Sequence, residues 1–306
     1  MSKTQEDIAP QKPAKSHWVV TKAIKNVKRQ LGSQKRHKND RQMSVEIPPA
    51  PSVTVNSTSL IGKVAVVTGS SRSTGAAIAR ALGEQGANVV VNYLHSEQEA
   101  TKVVQAVRAQ GRGSHAVRAD VSTPDGARHL VNEAMRAFGK IDILVLNAGI
   151  MKNRPLAEVD EEFFDAHINF NVRAPLFLVK AASSHLPSPG GRIIFFSSSM
   201  TDAHAIVPNM LCFLASKGAV EQVSRVLAKD FGAKGMTVNT IAPGPLDTTQ
   251  FREGKSSKWL DFFARQSPSN RLGLPEDVAP LVAFLASPAA QWINGQVIRV
   301  NGGSVL

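Results

Sequence analysis

The sequence predicts a single α/β domain in which one parallel sheet is doubly wound, with helices on both faces. Short β-branched runs recur from residue 61 onward, longer stretches at helical spacing separate them, and a glycine turn follows the first run. Strands and helices that alternate at this rhythm give right-handed crossovers and parallel strands, hence a Rossmann-type sheet. The strand-like runs are Val64–Thr68, Val89–Tyr93, Ile141–Asn147, Ile193–Ser197, Thr237–Ala242 and Val297–Val300.

The first 59 residues differ in composition from the rest of the 306-residue chain. They carry eleven Lys or Arg against four Asp or Glu, and they end in a stretch rich in Pro, Ser and Thr. We therefore expect a disordered basic extension and linker over 1–59 and the Rossmann-type domain over 60–306. Three alternatives stay open. In the first, residues 20–31, which have the spacing of a basic amphipathic helix, bind an acidic membrane surface or nucleic acid. In the second, the extension is a mitochondrial presequence, which Glu6 and Asp7 disfavour. In the third, the native start is Met43.

The composition excludes several classes of protein. Hydrophobic residues make up 42% and charged residues 20% of the chain, as in ordinary globular proteins. No run approaches the roughly 18 apolar residues that span a bilayer. Cys212 is the only cysteine, which excludes an intrachain disulfide or a cysteine-based zinc site, and we predict no metal site. A reducing, cytoplasmic location fits, and no readout element for nucleic acid is present.

A glycine turn follows the first predicted strand and opens a helix-compatible stretch that begins at Ala76. Such a turn lets backbone N–H groups and the helix dipole receive a pyrophosphate, as in dinucleotide-binding sheets. The turn spans Thr68-Gly69-Ser70-Ser71-Arg72-Ser73-Thr74-Gly75, and its candidate cofactor-binding residues are Gly69, Ser71, Arg72, Thr74 and Gly75.

The end of the second strand indicates which nicotinamide cofactor is used. The strand ends in Asn92-Tyr93, with Ser96 soon after, and carries no Asp or Glu at its tip. An acidic residue there would hold the ribose hydroxyls of NAD and repel a 2′-phosphate. Its absence, together with Arg72 in the glycine turn, predicts NADPH over NADH.

In this context the chain resembles the short-chain dehydrogenase/reductase family, whose glycine signature is Thr-Gly-x-x-x-Gly-x-Gly. The middle glycine is Ser73 here, and Thr74 stands where Ile or Leu is usual. Further matches follow in the family's order across residues 61–306. They are Asp120-Val121, which the resemblance places at the adenine; Asn147-Ala148-Gly149 after the fourth strand; Pro243-Gly244-Pro245 and Thr248 at the nicotinamide carboxamide; and the closing Asn301-Gly302-Gly303.

The resemblance also implies a catalytic constellation. In this family a Tyr hydroxyl gives a proton to the substrate oxygen while the cofactor delivers hydride to carbon, and a Lys four residues later lowers the Tyr pKa and binds the ribose. Lys217 matches that Lys, Asn171 matches the family's Asn, and Ser198 matches its Ser, with Ser199 as an alternative. The Tyr position is Phe213.

Loss of the tyrosine leaves the proton donor open. The chain's single tyrosine, Tyr93, lies at the adenosine end. A positioned general acid contributes a factor of about 10² to 10⁴. Besides the serines, the candidates for a substitute are Asp202, His204 and Cys212, of which Cys212 is better explained as a core residue.

The resemblance extends to fungal reductases of aromatic polyketides, which implies a hydrophobic secondary-metabolite substrate and a homotetramer or homodimer. Segment 249–266 would cover the pocket as a lid, and its aromatic residues suit a flat hydrophobic ligand. These are Phe251, Trp259, Phe262 and Phe263, with Leu260 beside them.

Two hypotheses follow for the function. The first is a redox enzyme whose substrate needs no tyrosine proton, such as an iminium, or a ketone reductase with another acid. The second is a non-redox catalyst or pseudoenzyme, favoured by Ser73 and Phe213. A deliberate Tyr-to-Phe substitution is a third explanation of Phe213.

Overall fold

The computed structural model describes residues 58–203 and 206–306. The basic extension up to residue 57, with its amphipathic segment and Met43, lies outside the described residues, as does His204. The proposed boundary at residue 59 therefore stays a prediction.

A seven-stranded sheet forms the centre of the described domain, and every neighbouring pair of strands is parallel. The order across the sheet is β3-β2-β1-β4-β5-β6-β7. All six predicted runs form strands. The seventh strand, β3, is less apolar than the others, because its sequence is Ser-His-Ala-Val-Arg. The strands are β1 (Val64–Val67), β2 (Asn88–Tyr93), β3 (Ser114–Arg118), β4 (Ile143–Leu146), β5 (Arg192–Phe196), β6 (Thr237–Pro243) and β7 (Val297–Val300).

Helices cover both faces of the sheet, as predicted. Successive strand residues point to opposite faces, so Ala65 and Val67 join one hydrophobic cluster and Val66 joins the other. The first cluster contains α1 (Ser73–Glu84), α2 (Glu97–Ala109) and α9 (Pro275–Ala286); the second contains α3 (Pro124–Phe138), α5 (Ala174–Ala182) and α6 (Leu211–Gly232). The other helices are α4 (Glu161–Ile168), α7 (Thr249–Arg252) and α8 (Ser257–Arg265).

The strand order fixes where a ligand can bind. The chain runs outward from β1 to β3 and then returns to place β4 on the other side of β1. Ligands on such sheets bind beyond the carboxyl ends of the strands where the order reverses. Nowhere in the described residues does a helix combine the length and apolar character that crossing a bilayer requires.

Candidate active site

A cleft of about 1500 Å³ opens at the carboxyl ends of the strands. It runs from the glycine turn after β1, past β4 and β5, to α7 and α8. Every residue that the sequence predicts for cofactor binding lines this cleft, and so do Ser198, Phe213 and Lys217. Asn171 lies behind its wall. The structure therefore brings the two predicted halves of the site into one continuous cavity.

The glycine turn is built so closely that two of its glycines are required. Gly69 has φ +60°, in the left-handed region that favours glycine. A Cβ on Gly75 would lie 2.3 Å from the Gly69 carbonyl oxygen and 2.7 Å from Asn147 Nδ2. Ser73, at the signature's middle glycine, also has positive φ, at +50°. A side chain is tolerated there at a cost of about 1–2 kcal/mol, so the chain keeps the backbone shape of the turn without its glycine.

Two asparagines hold the turn in place from behind. Asn92 Oδ1 accepts from the Gly69 N–H at 3.1 Å, and Asn92 Nδ2 donates to the Ala119 carbonyl at 3.0 Å. Asn147 Nδ2 donates to the carbonyls of Thr68 and Gly69 at 2.9 and 3.2 Å. Both side chains are committed to the protein, so they shape the cradle while presenting little free hydrogen-bonding capacity to a ligand.

The adenosine end of the cleft carries an exposed cation. Arg72 is exposed and lines the cleft, and no side-chain ion pair of Arg72 is formed within the described residues. Ser96 lies beside it on the loop after β2, and burial raises the pKa of Tyr93, which keeps that phenol uncharged. His95 also lines this end, a residue that the strand-end pattern did not single out. The donors present fit a phosphate group.

The other predicted cofactor contacts are fixed by local hydrogen bonds. The Asp120 carboxylate accepts from the Ser122 N–H at 3.0 Å and from Ser122 Oγ at 2.6 Å. Thr248 Oγ1 accepts from the Phe251 N–H at 3.1 Å and so begins α7. The Gly244 N–H donates to the Val300 carbonyl at 3.0 Å. Val121, Ala148 and Pro243 contribute apolar wall between these points.

Lys217 is the charged group that lies beside Phe213 in the cleft. Its side chain is buried, with 7% of the residue exposed, and Nζ donates to the Phe196 carbonyl at 2.8 Å. Burial lowers the pKa of Lys217 to about 8. The Phe213 ring lies one helical turn earlier on α6, with its centroid 5.8 Å from Nζ, within the range of a cation–π contact. Where the resemblance expects a phenol, the ammonium faces a hydrocarbon ring.

Asn171 lies in a π-helical turn, Asn169–Arg173, between α4 and α5. Its Oδ1 accepts from the Ile150 N–H at 2.9 Å, and its Nδ2 donates to the Ile150 carbonyl at 3.0 Å and to Ser216 Oγ at 2.9 Å. A Cβ on Gly149 would lie 3.1 Å from Asn171 Oδ1 and 3.5 Å from Lys217 Nζ. Because Gly149 has no side chain, Asn171 Oδ1 and Lys217 Nζ can both approach it, and the two polar atoms lie in the same part of the site.

The structure distinguishes the two candidate serines. Ser198 lines the cleft, and its Oγ accepts from the Met200 N–H at 3.3 Å. Ser199 is fully buried, and its hydroxyl has no hydrogen-bond partner. Only Ser198 can present its hydroxyl to a ligand in the cleft.

The substitutes considered for the missing tyrosine do not gather at Phe213. Asp202 forms an ion pair with Arg299 and does not line the cleft. Cys212 is buried with 3% exposure and also lies outside the cleft lining. His204 is outside the described residues. Ser198 and Lys217 are two proton-bearing side chains that line the same cleft as the Phe213 ring.

Aromatic and methionine side chains contribute much of the remaining cleft lining. Phe251, Trp259 and Phe263 of the lid line the cleft, whereas Leu260 and Phe262 do not. Phe251 meets Phe263 edge to face at 5.3 Å between ring centroids. Sequence reasoning missed six further lining residues, because they lie in loops and in short 3₁₀ or π-helical turns that leave no periodicity in the sequence: Met151, Phe170, Met200, Val207, Asn209 and Met210.

A sequence profile described as Enoyl-(Acyl carrier protein) reductase, of the short-chain alcohol dehydrogenase type, matches residues 69–304. The chain belongs to the short-chain dehydrogenase/reductase family. Versicolorin reductase 1 of Aspergillus parasiticus is 42% identical over 80% of this chain and 97% of its own length. The hydroxynaphthalene reductase of Aspergillus fumigatus is 42% identical over 78% of this chain and 90% of its own length.

Solved structures of the short-chain dehydrogenase/reductase family share the fold. The angucycline C-6 ketoreductase LanV, solved with bound NADP, is 35% identical and superposes with a TM-score of 0.75 over 80% of this chain and 96% of its own. The predicted family and doubly wound fold are thus confirmed, and the relatives named here are oxidoreductases.

Proposed function

We propose that this chain is an NADPH-dependent oxidoreductase that reduces a hydrophobic, aromatic secondary metabolite without a tyrosine proton. The observation that carries the proposal is the pairing of Lys217 with Phe213 in a cleft that all the predicted cofactor-binding residues line. Lys217 is buried, hydrogen-bonded and open to the cleft, while Phe213 presents only hydrocarbon.

The cofactor end supports NADPH on its own chemistry. The backbone N–H groups at the start of α1 and the close-packed glycines suit a pyrophosphate. Arg72 and Ser96 supply donors for a 2′-phosphate, and the tip of β2 carries no carboxylate that would repel it. The NADP bound to the LanV ketoreductase agrees with this choice. When bound, the cofactor supplies a hydride to a carbon atom of the substrate.

The catalytic end favours substrates that need little proton donation. Hydride addition to an iminium carbon produces a neutral amine, so no oxyanion forms. A ketone would instead depend on Ser198 and Lys217 for the proton that Phe213 does not provide. The apolar walls and the aromatic lid support a flat ring system in either case.

The test is NADPH oxidation with matched panels of cyclic imines and aromatic ketones. We expect imines to be turned over faster than ketones of the same ring system. Inertness toward every member of both panels, with cofactor bound, would sink the redox proposal.

A second candidate is a non-redox catalyst or pseudoenzyme on the same fold. It is favoured by the left-handed Ser73 in the cofactor turn together with Phe213 in the catalytic end. The pseudoenzyme form predicts weak or absent NADPH binding. A micromolar Kd for NADPH by calorimetry counts against it.

A further inference from the structure

A carboxylate on α6 accepts hydrogen bonds from residues next to Ser198. Glu221 follows Lys217 by four residues and Phe213 by eight, so the three lie along one face of the helix. Glu221 Oε1 accepts from Ser197 Oγ at 2.5 Å and from Thr201 Oγ1 at 2.9 Å. Ser197 immediately precedes Ser198, and Thr201 lies within the 3₁₀ turn Ser199–Asp202 that follows it.

The carboxylate determines which way the hydroxyl protons point. An ionised carboxylate accepts hydrogen bonds and donates none, so the Ser197 proton is directed at Glu221. Ser197 Oγ also lies 3.4 Å from the Lys217 carbonyl, a longer and weaker alternative. Thr201 Oγ1 divides its proton between Glu221 and the Ser198 carbonyl at 2.8 Å. Hydrogen bonds to a charged acceptor are stronger than neutral ones, so Glu221 ties both ends of the turn to α6.

The consequence falls on Ser198. Its Oγ accepts from the Met200 N–H, which leaves its own proton without an internal partner within the described residues. The turn thus presents Ser198 as a hydrogen-bond donor toward the cleft. Phe196, the residue just before the turn, accepts from Lys217 Nζ. The same short segment therefore fixes both proton-bearing groups beside Phe213.

We propose that Glu221 is a positioning residue that holds the Ser197–Thr201 turn against α6 and so keeps the Ser198 hydroxyl directed at the reacting atom of the substrate. The inference rests on the proposed function, because it assigns Ser198 the hydrogen bond to the substrate in a site without tyrosine.

The experiment is a double-mutant cycle between Glu221→Ala and Ser198→Ala, with phenanthrenequinone and a cyclic imine as probes. We expect Glu221→Ala to lower kcat for the ketone about tenfold, the worth of one well-made hydrogen bond, and to leave the Kd for NADPH unchanged. In the Ser198→Ala background the same change should lower kcat less than about twofold, because residues in one network are not additive. Glu221→Gln retains an acceptor oxygen and should restore most of the lost rate.

Asp230→Ala is the matched control, since Asp230 is an exposed carboxylate on the same helix. It should leave kcat unchanged. Equal losses from Glu221→Ala in both backgrounds, or a lower melting temperature with unchanged kcat, would overturn the inference.

Amide hydrogen exchange over residues 197–202 separates this inference from the proposed function. Glu221→Ala should speed exchange there, and Asp230→Ala should not. Unchanged exchange in Glu221→Ala overturns the inference whatever the activity. If the wild type oxidises no NADPH with any probe, the proposed function fails, and so does the catalytic role of Glu221. Faster exchange in Glu221→Ala would still show that Glu221 holds the Ser197–Thr201 turn against α6.

Discussion

Phe213→Tyr adds a hydroxyl to a ring that already lines the cleft beside Lys217. The ring centroid is 5.8 Å from Nζ, and the residue is 7% exposed. The new phenol would therefore enter a site that holds a buried cation, which favours its anion and lowers its pKa. A positioned general acid raises a rate by about 10² to 10⁴, or about 3–5 kcal/mol of barrier.

We expect Phe213→Tyr to raise kcat/KM for phenanthrenequinone by a factor within that range. Reduction of an N-methyl-dihydroisoquinolinium ion, an iminium that gives a neutral amine on hydride addition and so needs no proton donor, should change by less than about tenfold. The assay is loss of NADPH absorbance at saturating cofactor, with the Kd for NADPH measured separately by calorimetry.

Phe170→Tyr is the matched control, because it adds a hydroxyl to another ring of the same cleft. It should not raise ketone reduction. If Phe213→Tyr leaves ketone reduction unchanged while NADPH still binds, the missing hydroxyl is not what limits the site. Equal gains from both variants would show that any added hydroxyl suffices.

Four further outcomes are expected. Burial lowers the pKa of Lys217 from 10.5 to about 8, so the unfolded chain keeps this proton to a higher pH than the folded chain does. The free energy of unfolding of the cofactor-free protein should therefore increase as the pH rises from 8 to 10.5, by on the order of 3 kcal/mol. Urea titrations of Lys217→Met should show no such increase. Arg72→Ala should weaken the Kd for NADPH about tenfold to a hundredfold and leave the Kd for NADH unchanged, since it removes a charge-assisted hydrogen bond. Ser73→Gly should raise the free energy of unfolding by up to about 1 kcal/mol, because it removes a left-handed side chain at the entropic cost of a glycine. Trp259→Ala should weaken binding of naphthol to the NADPH complex about tenfold, because one aromatic contact is lost. Fluorescence titration measures this binding, and the Kd for NADPH itself should stay constant.

The fold could be predicted because the sequences of the buried strands are runs rich in β-branched residues. Two-sided burial of β1 and β4 demands apolar residues at every position, and such runs stand out in the sequence. β3 lies at the edge of the sheet, where its outer residues meet solvent, and its mixed sequence gave a weaker signal.

The position of the site residues was also predictable, but the direction of their side chains was not. Strand order places Asn92 and Asn147 at the cofactor end, and both line the cleft. Their amides nevertheless bond to Gly69 and its neighbours, which depends on distances between strands that pair only in the folded sheet. Glu221 was missed for the same reason. Its spacing from Lys217 was visible, but its partners Ser197 and Thr201 lie 24 and 20 residues earlier in the chain.

The amine of Lys217 also gives the cleft a reactivity that is separate from reduction, namely attack on an aldehyde. Burial lowers the pKa of Lys217 to about 8, so the folded, cofactor-free protein carries this nitrogen as a free base at a lower pH than a solvent-exposed lysine does. A flat aromatic aldehyde that enters the cleft should therefore condense with Lys217 in preference to surface lysines. Borohydride would make that adduct permanent, and NADPH should protect against it, because the lysine would then be occupied. The residue next to the missing phenol is thus the place where an active-site label can be attached.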